Sequence, residues 1–523
     1  MKKQTNKGSA NQNKGKGRKT ADKTTVKRGR LNNSKKPVGA YAIYSEKLVL
    51  VSAVILGLYH LLICQLSYFL QITVFQDAEL YLCCALGVLF ILYCLVKRPA
   101  VKLKAEYVVL IAIMIWYLIS CFVMKETYKR DWLSYNRKPL IDTAIALFVF
   151  FPLGSVAGKS CFHQKQKNLG NQLIEQNQIN NPASETRTGD IHDYALNPSH
   201  IITIIIHILL LSWTVFIAYV LINVFQLKLI DLPNGGQIGM SKSAALCLNC
   251  HYNTTGAWQM LFFLSCLCMI ICSKRILIKS VYSVAAVINF IALVLSNSRT
   301  SYVATMAGFM GIAFVCAYQT AKSVPTKKRI VISVIISFVS GAVFYMLRGT
   351  VYDLFQSVTH FSQLVGGGNK DMTDSMARKV ISSTTATLTG RTTIWKGALK
   401  GMVSSAQRFF FGVTPVSVNS LISLMTDGKY NMYTHNEILE VGVALGVPAM
   451  CAFIVWLVLI LRRGYSQLKN GLNHRILPLV LILALLLANM AEATLLFYQY
   501  ITGLAFFFLC GWLYGTTKEL QAE

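Results

Sequence analysis

The chain has 523 residues, 54% of them hydrophobic and only 14% charged, with a mean hydropathy of +0.48. Those values exclude an ordinary soluble enzyme and place the chain among proteins that cross a membrane several times. The net charge of +29 is unevenly spread, because fourteen of the 51 Lys and Arg residues fall in the first 47.

Residues 1–47 carry runs such as NKGKGRKTADKTTVKRGR without apolar periodicity, which predicts a disordered basic tail on the cytoplasmic side. Beside an apolar segment such a tail meets anionic lipid and fixes orientation, so nucleic acid is not an expected partner. The tail is too long for a signal peptide, and no small-residue cleavage site follows it. A span needs about 20 apolar residues. Runs near 48–70, 80–96, 106–124 and 140–157 predict spans 1–4 across 48–157, and the Asn/Gln-rich stretch 158–199 predicts a flexible cytoplasmic linker. Spans 5–9 follow across 200–347, at 200–227, 257–273, 280–297, 301–320 and 330–347.

Residues 348–435 then form a long segment, expected to be extracytoplasmic, and loops of that length are usually functional. It holds a turn at Gly366-Gly367-Gly368 and a helical stretch with Ile394, Trp395, Ala398, Leu399 and Met402 on one side. Spans 10–12 are expected across 436–515, at 436–461, 476–493 and 496–515, with Asn489, Glu492 and Thr494 interrupting the last two. A short cytoplasmic C-terminus, 516–523, completes an all-α fold of about twelve transmembrane helices. Both termini are expected inside, because KRPAVKLK, SKRILIK, AKSVPTKKR and RRGYSQLKNGLNHR then face the cytoplasm. One loop, MKETYKRDWLSYNRKP at 124–139, departs from that pattern.

Several local motifs read as decoys. GSVAGKS (154–160) spaces its glycines one residue too short for a phosphate loop and ends an apolar span, so a helix end is expected. CLNCH (247–251) fits a haem-attachment pattern, but a local disulfide or two thiols is the expectation. The sequon at Asn253 lies too close to a span for use, and Asp371 and Asp374 offer too few oxygens for a hard cation. The cysteines inside apolar runs behave as small hydrophobes.

Three polar motifs are expected to share the outer face. In LSNSRTS (295–301), Arg299 joins two spans, where a guanidinium either meets an anion or snorkels to lipid headgroups. In TLTGRTTIWKGAL (387–399), Arg391 stands near a helix start, where backbone donors and an Arg fork suit an anion. In YTHNEILEVGVALGVP (433–448), Thr434 and Glu437 fit a capping box with His435 as the first helical residue, and Gly442 and Gly446 fit a close-packing face.

The succession S-R, T-G-R-x-x-x-W, Phe411-Gly412 and H-N before a glycine-bearing span resembles the O-antigen ligase and polysaccharide polymerase superfamily. The likeness covers roughly 200–515 in architecture and 285–460 in motifs, and HYNTTGAW (251–258) also looks like a span entry of that family. The resemblance implies an inverting membrane glycosyltransferase without metal or cofactor, working at the outer face of the cell membrane. Its donor would be an undecaprenyl-diphosphate-linked glycan, its acceptor a glycan, lipid or protein, and its surroundings membrane lipid. Arg299 and Arg391 would grip the diphosphate and His435 would be the general base. Asn436, Trp395 and Gly390 would contact substrate. Polymerisation of lipid-linked repeats is the nearest alternative. A transporter or flippase is the alternative of another class, although a two-half transporter would place its long cytoplasmic link after span 6 instead of span 4.

Overall fold

The computed structural model describes residues 104–124, 132–158, 198–232, 236–240, 245–366, 389–469, 474–497 and 501–520, with four isolated positions between 54 and 85. All belong to the unit Leu48–Glu523. The tail 1–47, nearly all of the runs 48–70 and 80–96, most of the linker 158–199, and Asp371 and Asp374 lie outside the described residues.

The described chain is mostly helical. Helix α1 spans Ala105–Val123, and α2 spans Trp132–Ile145, continuing through a π-helical turn at Ala146–Phe150. Helix α3 is Pro198–Phe225, α4 Tyr252–Cys272, α5 Ile276–Leu295, α6 Arg299–Thr320 and α7 Thr326–Gly366. Three shorter helices follow: α8 Thr389–Met402, α9 Ala406–Phe411 and α10 Val418–Met425. The last four are α11 Glu437–Leu445, α12 Val447–Lys469, α13 Leu477–Asn489 and α14 Ile501–Leu520. Among the described residues, eight helices are long and apolar enough to cross a membrane. The molecule is a multi-pass membrane protein.

The fold is not purely α. Strands β1 (Ile230–Asp231), β2 (Gln237–Met240) and β3 (Leu246–Leu248) pair antiparallel in chain order, with Ile238 opposite both Ile230 and Leu248. Leu246, Leu248, Ile238 and Met240 are buried. This small sheet ends at the N-cap of α4, where His251 Nδ1 accepts the backbone N–H of Asn253. Both cysteines of CLNCH are thiols in the structure.

The helices differ from the expected spans mainly at breaks. Helix α7 runs for 41 residues, about 60 Å, so the first part of the expected outer loop continues the span as helix. The expected span 436–461 is two helices, separated at Gly446, whose φ of +87° no ordinary side chain adopts readily. Gly446 also lies against the Phe410 carbonyl, where a Cβ would come within 2.3 Å. Gly442 meets Met402 and Met450 sulfurs. The pair therefore breaks a span and fits it to its neighbours, and it is not a straight close-packing face. At the C-terminal end, α14 continues to Leu520, past the expected boundary at 515.

Close helix packing occurs elsewhere, at the decoy GSVAGKS. A Cβ on Gly154 would lie 1.9 Å from the Phe508 carbonyl oxygen, and one on Gly511 would lie 1.9 Å from that of Phe151. Gly158 and Gly515 make the same kind of approach to Trp512 and Ser155. Two Gly-x-x-x-Gly pairs thus press the helical stretch reaching Gly158 against α14, backbone to backbone.

Helix α13 has 13 residues, about 20 Å, short of the roughly 30 Å of a bilayer's hydrocarbon. The chain therefore leaves helical form before its apolar run is long enough to cross, and unpaired backbone groups in such apolar surroundings are costly. Side chains meet that need. The Glu437 carboxylate accepts the N–H groups of Leu495 and Leu496 at 2.9 Å each. Asn489 accepts from the Thr494 N–H and hydroxyl. Thr143 donates to the Leu496 carbonyl, Thr502 to that of Thr494, and Asn436 to that of Met490.

Helix α9 also sits low. Trp116 Nε1 donates to the carbonyls of Phe410 and Leu445 at 3.0 Å, and its ring stacks on Phe411 at 5.4 Å. Trp116 lies about 10 Å before the end of α1 at Val123. The tip of α9 is therefore wedged beside a membrane span instead of standing wholly outside it.

Candidate functional site

The break after α13 exposes one acidic residue to a converging set of polar groups. Glu492 is fully buried, and four side chains reach its carboxylate. Arg391 Nη2 lies 2.8 Å from Oε1, which also accepts the Asn253 amide. Tyr433 donates its hydroxyl to Oε2 at 3.0 Å, and His435 Nδ1 lies 3.2 Å from the same oxygen. Helices α4 and α8, the approach to α11 and the break before α14 thus meet at one charge. An uncompensated carboxylate here would be strongly disfavoured, and Arg391 balances it.

His435 is held in an unusual backbone conformation. Its φ is +53°, which costs a non-glycine residue energy and persists only where neighbours enforce it. On one side the Thr434 N–H and hydroxyl both donate to Glu440 at 2.8 Å, and Trp395 Nε1 donates to the Thr434 carbonyl. On the other side Asn436 caps α11, accepting the Leu439 N–H at 3.1 Å while its amide holds the Met490 carbonyl. The expected capping box is accordingly displaced. Asn436 and not Thr434 is the cap, His435 precedes the helix, and Glu437 turns to the Leu495–Leu496 backbone.

An ionised carboxylate only accepts, so Glu492 selects the His435 tautomer with hydrogen on Nδ1. In the neutral ring that leaves the lone pair on Nε2, which faces Met432 Sδ at 3.3 Å. The Tyr433 ring packs on the imidazole with centroids 4.3 Å apart.

Arg391 stands in the first turn of α8, as expected, and its Nη1 reaches the Thr300 hydroxyl at 3.3 Å. Thr300 follows Arg299, the exposed first residue of α6, whose cap is Ser298. The charges of Arg299, Arg391 and Glu492 all act on Tyr252 at the start of α4. The structure therefore brings His435 and Arg391 onto one carboxylate and places Arg299 at its margin. Beside them, partial burial holds the His251 imidazole below its ordinary pKa, with His435 and Arg391 adding to the effect and Glu492 opposing it.

The three expected substrate contacts fare differently. Asn436 has both ends of its side chain engaged in holding α11 and the 490–497 segment. Trp395 is partly buried and supports the Thr434 carbonyl. At Gly390 the nearest atoms an added Cβ would meet belong to the Tyr430 side chain, at 3.5 Å, an ordinary contact distance. On the same helix Ile394, Ala398 and Met402 are buried as expected, but Leu399 is exposed.

Glu492, Tyr433 and Asn253 were not singled out as functional from the sequence. Glu492 reads there as an interruption of a span, although an ionisable residue within an apolar run is itself a signal of function. Asn253 sits in a sequon, and its burial against Glu492 removes it from any glycosylation role. Among the described residues, no group of three or more His, Cys, Asp or Glu is placed to hold a metal ion.

Residues 284–454 match the family model described as O-Antigen ligase. Over those residues the chain is similar to the O-antigen ligase superfamily. The matched region contains Arg299, Arg391 and His435, and stops before Glu492. Members of this superfamily are membrane enzymes, ligases or polymerases, that act on lipid-linked glycans. No curated protein matches the chain, and no solved structure matches it.

Proposed function

We propose that the protein transfers a glycan from undecaprenyl diphosphate to an acceptor hydroxyl at the outer face of the cytoplasmic membrane. The observation that carries this reading is the convergence of His435 and Arg391 on the buried carboxylate of Glu492, with Arg299 at the margin.

In this reading His435 Nε2 takes the proton of the acceptor hydroxyl as that oxygen bonds to the anomeric carbon of the donor. The bond from that carbon to the diphosphate oxygen breaks, and the diphosphate leaves with the electron pair. Arg391 and Arg299 stabilise the charge that develops on it. Glu492 touches neither substrate. It holds the His435 tautomer, stabilises the imidazolium as the proton arrives, and orients the Arg391 guanidinium. Direct displacement inverts the anomeric configuration and uses no metal.

The test is transfer by the purified full chain from an undecaprenyl-diphosphate-linked glycan. Arg391→Ala, His435→Ala and Arg299→Ala are each expected to abolish product while inserting and expressing normally. Full activity in His435→Ala would remove the base assignment. Surface glycan from a deletion strain separates the two reactions of the superfamily. Complete chains stranded on the carrier lipid mark a ligase, and single repeats without long chains mark a polymerase.

A further inference from the structure

The chain enters α4 through His251, a histidine that lies beside the Glu492 cluster without touching it. Asn253, two residues on, places its amide on the Glu492 carboxylate. His251 itself is exposed, and the charges of Glu492, His435 and Arg391 all act on its ring. The neighbouring Tyr252 feels Arg391 and Arg299 as well as Glu492, and the two rings pack with centroids 4.1 Å apart. The pair therefore stands within electrostatic reach of both arginines and of the proposed base.

The backbone decides which nitrogen of His251 carries the hydrogen. Nδ1 accepts the Asn253 N–H at 3.3 Å, so in the neutral ring the hydrogen sits on Nε2. Partial burial favours that neutral ring, with His435 and Arg391 adding to the effect and Glu492 opposing it. Among the described residues, none accepts a hydrogen bond from Nε2. His435 is the opposite tautomer, with hydrogen on Nδ1 toward Glu492 and the lone pair on Nε2. One ring can take a proton. The other can donate a hydrogen bond, and gaining a proton would cost it the cap on α4.

We propose that His251 Nε2 donates a hydrogen bond to the diphosphate of the lipid-linked donor, as a third contact beside Arg391 and Arg299. This rests on the functional reading above, which supplies the diphosphate. A neutral donor fixes the direction of the bound oxyanion without adding a third positive charge beside two guanidinium groups.

The experiment is equilibrium binding of undecaprenyl diphosphate to the full chain in nanodiscs, with melting and transfer kinetics on the same preparations. Asn is among the best helix caps and can accept the Asn253 N–H, but it presents no donor where Nε2 stood. His251→Asn is therefore expected to keep the melting midpoint and to bind undecaprenyl diphosphate about tenfold more weakly, the worth of one hydrogen bond to a charged group. In transfer the KM for the lipid-linked donor should rise by a similar factor with kcat nearly unchanged. Undiminished binding in His251→Asn would overturn the contact and leave His251 as a cap alone. A fall in kcat at unchanged donor KM would overturn it too, since that pattern marks a disturbed scaffold. Wild-type protein that fails to bind undecaprenyl diphosphate would overturn the functional reading itself, and this contact with it.

Discussion

Glu492 and Glu106 are both buried carboxylates facing an arginine, at opposite ends of the helices, and they differ in everything else. Glu106 lies in the first turn of an unbroken helix and, among the described residues, pairs with Arg463. Glu492 lies where the chain has left helical form, and it gathers a guanidinium, an imidazole, a phenol and an amide. A buried ion pair by itself says little about function, because it joins helices as readily as it serves chemistry. What separates the two sites is the second titratable partner, His435, and the strained backbone that presents it.

Substitutions can break this contrast in graded ways. The largest effect is expected from Glu492→Ala, which leaves Arg391 without its carboxylate and His435 without its tautomer partner. Transfer should fall by about 10²–10⁴, the range a positioned acid–base group contributes, and Glu492→Gln should recover only part of it. Glu106→Ala should instead destabilise by up to roughly 3–5 kcal/mol, by removing the buried carboxylate that Arg463 grips, while activity per folded molecule is retained. A melting curve and a transfer assay on the same samples read both quantities. Equal activity losses at the two glutamates would erase the distinction.

A smaller effect is expected at Thr143→Val. It removes one hydroxyl from the Leu496 carbonyl and should cost about 1–2 kcal/mol in melting experiments, with little change in transfer. The smallest is expected at Gly390→Ala, where the added methyl meets the Tyr430 ring at ordinary distance. Near-normal transfer would show that Gly390 is dispensable, and a loss above tenfold would show that substrate approaches its backbone.

Helix existence was largely legible in the sequence, because ten expected spans from 106 onward depend on length and apolarity, which one chain displays. Breaks were not. Asn489, Glu492 and Thr494 look alike from outside as polar flaws, yet two of them repair backbone and one organises a site. Their roles depend on Glu437, Arg391 and Asn253, residues far away in the chain. The glycines teach the same lesson. Gly442 and Gly446 share a spacing with Gly154 and Gly158, but only the latter pack against a helix with a second such pair, Gly511 and Gly515. Arg391 and His435 each stand in a motif with a recognisable neighbourhood, whereas Glu492 stands in none.

The depth of α9 also bears on how a substrate arrives. Phe410 and Phe411 hang beside Trp116, and Leu399, Val403, Phe410 and Leu424 point apolar side chains outward from the segment that carries Arg391. On the proposed function, a reaction centre flanked in this way would open toward the lipid side. On that reading, a donor tethered by a hydrocarbon tail would find it by a two-dimensional search within the leaflet instead of through bulk water.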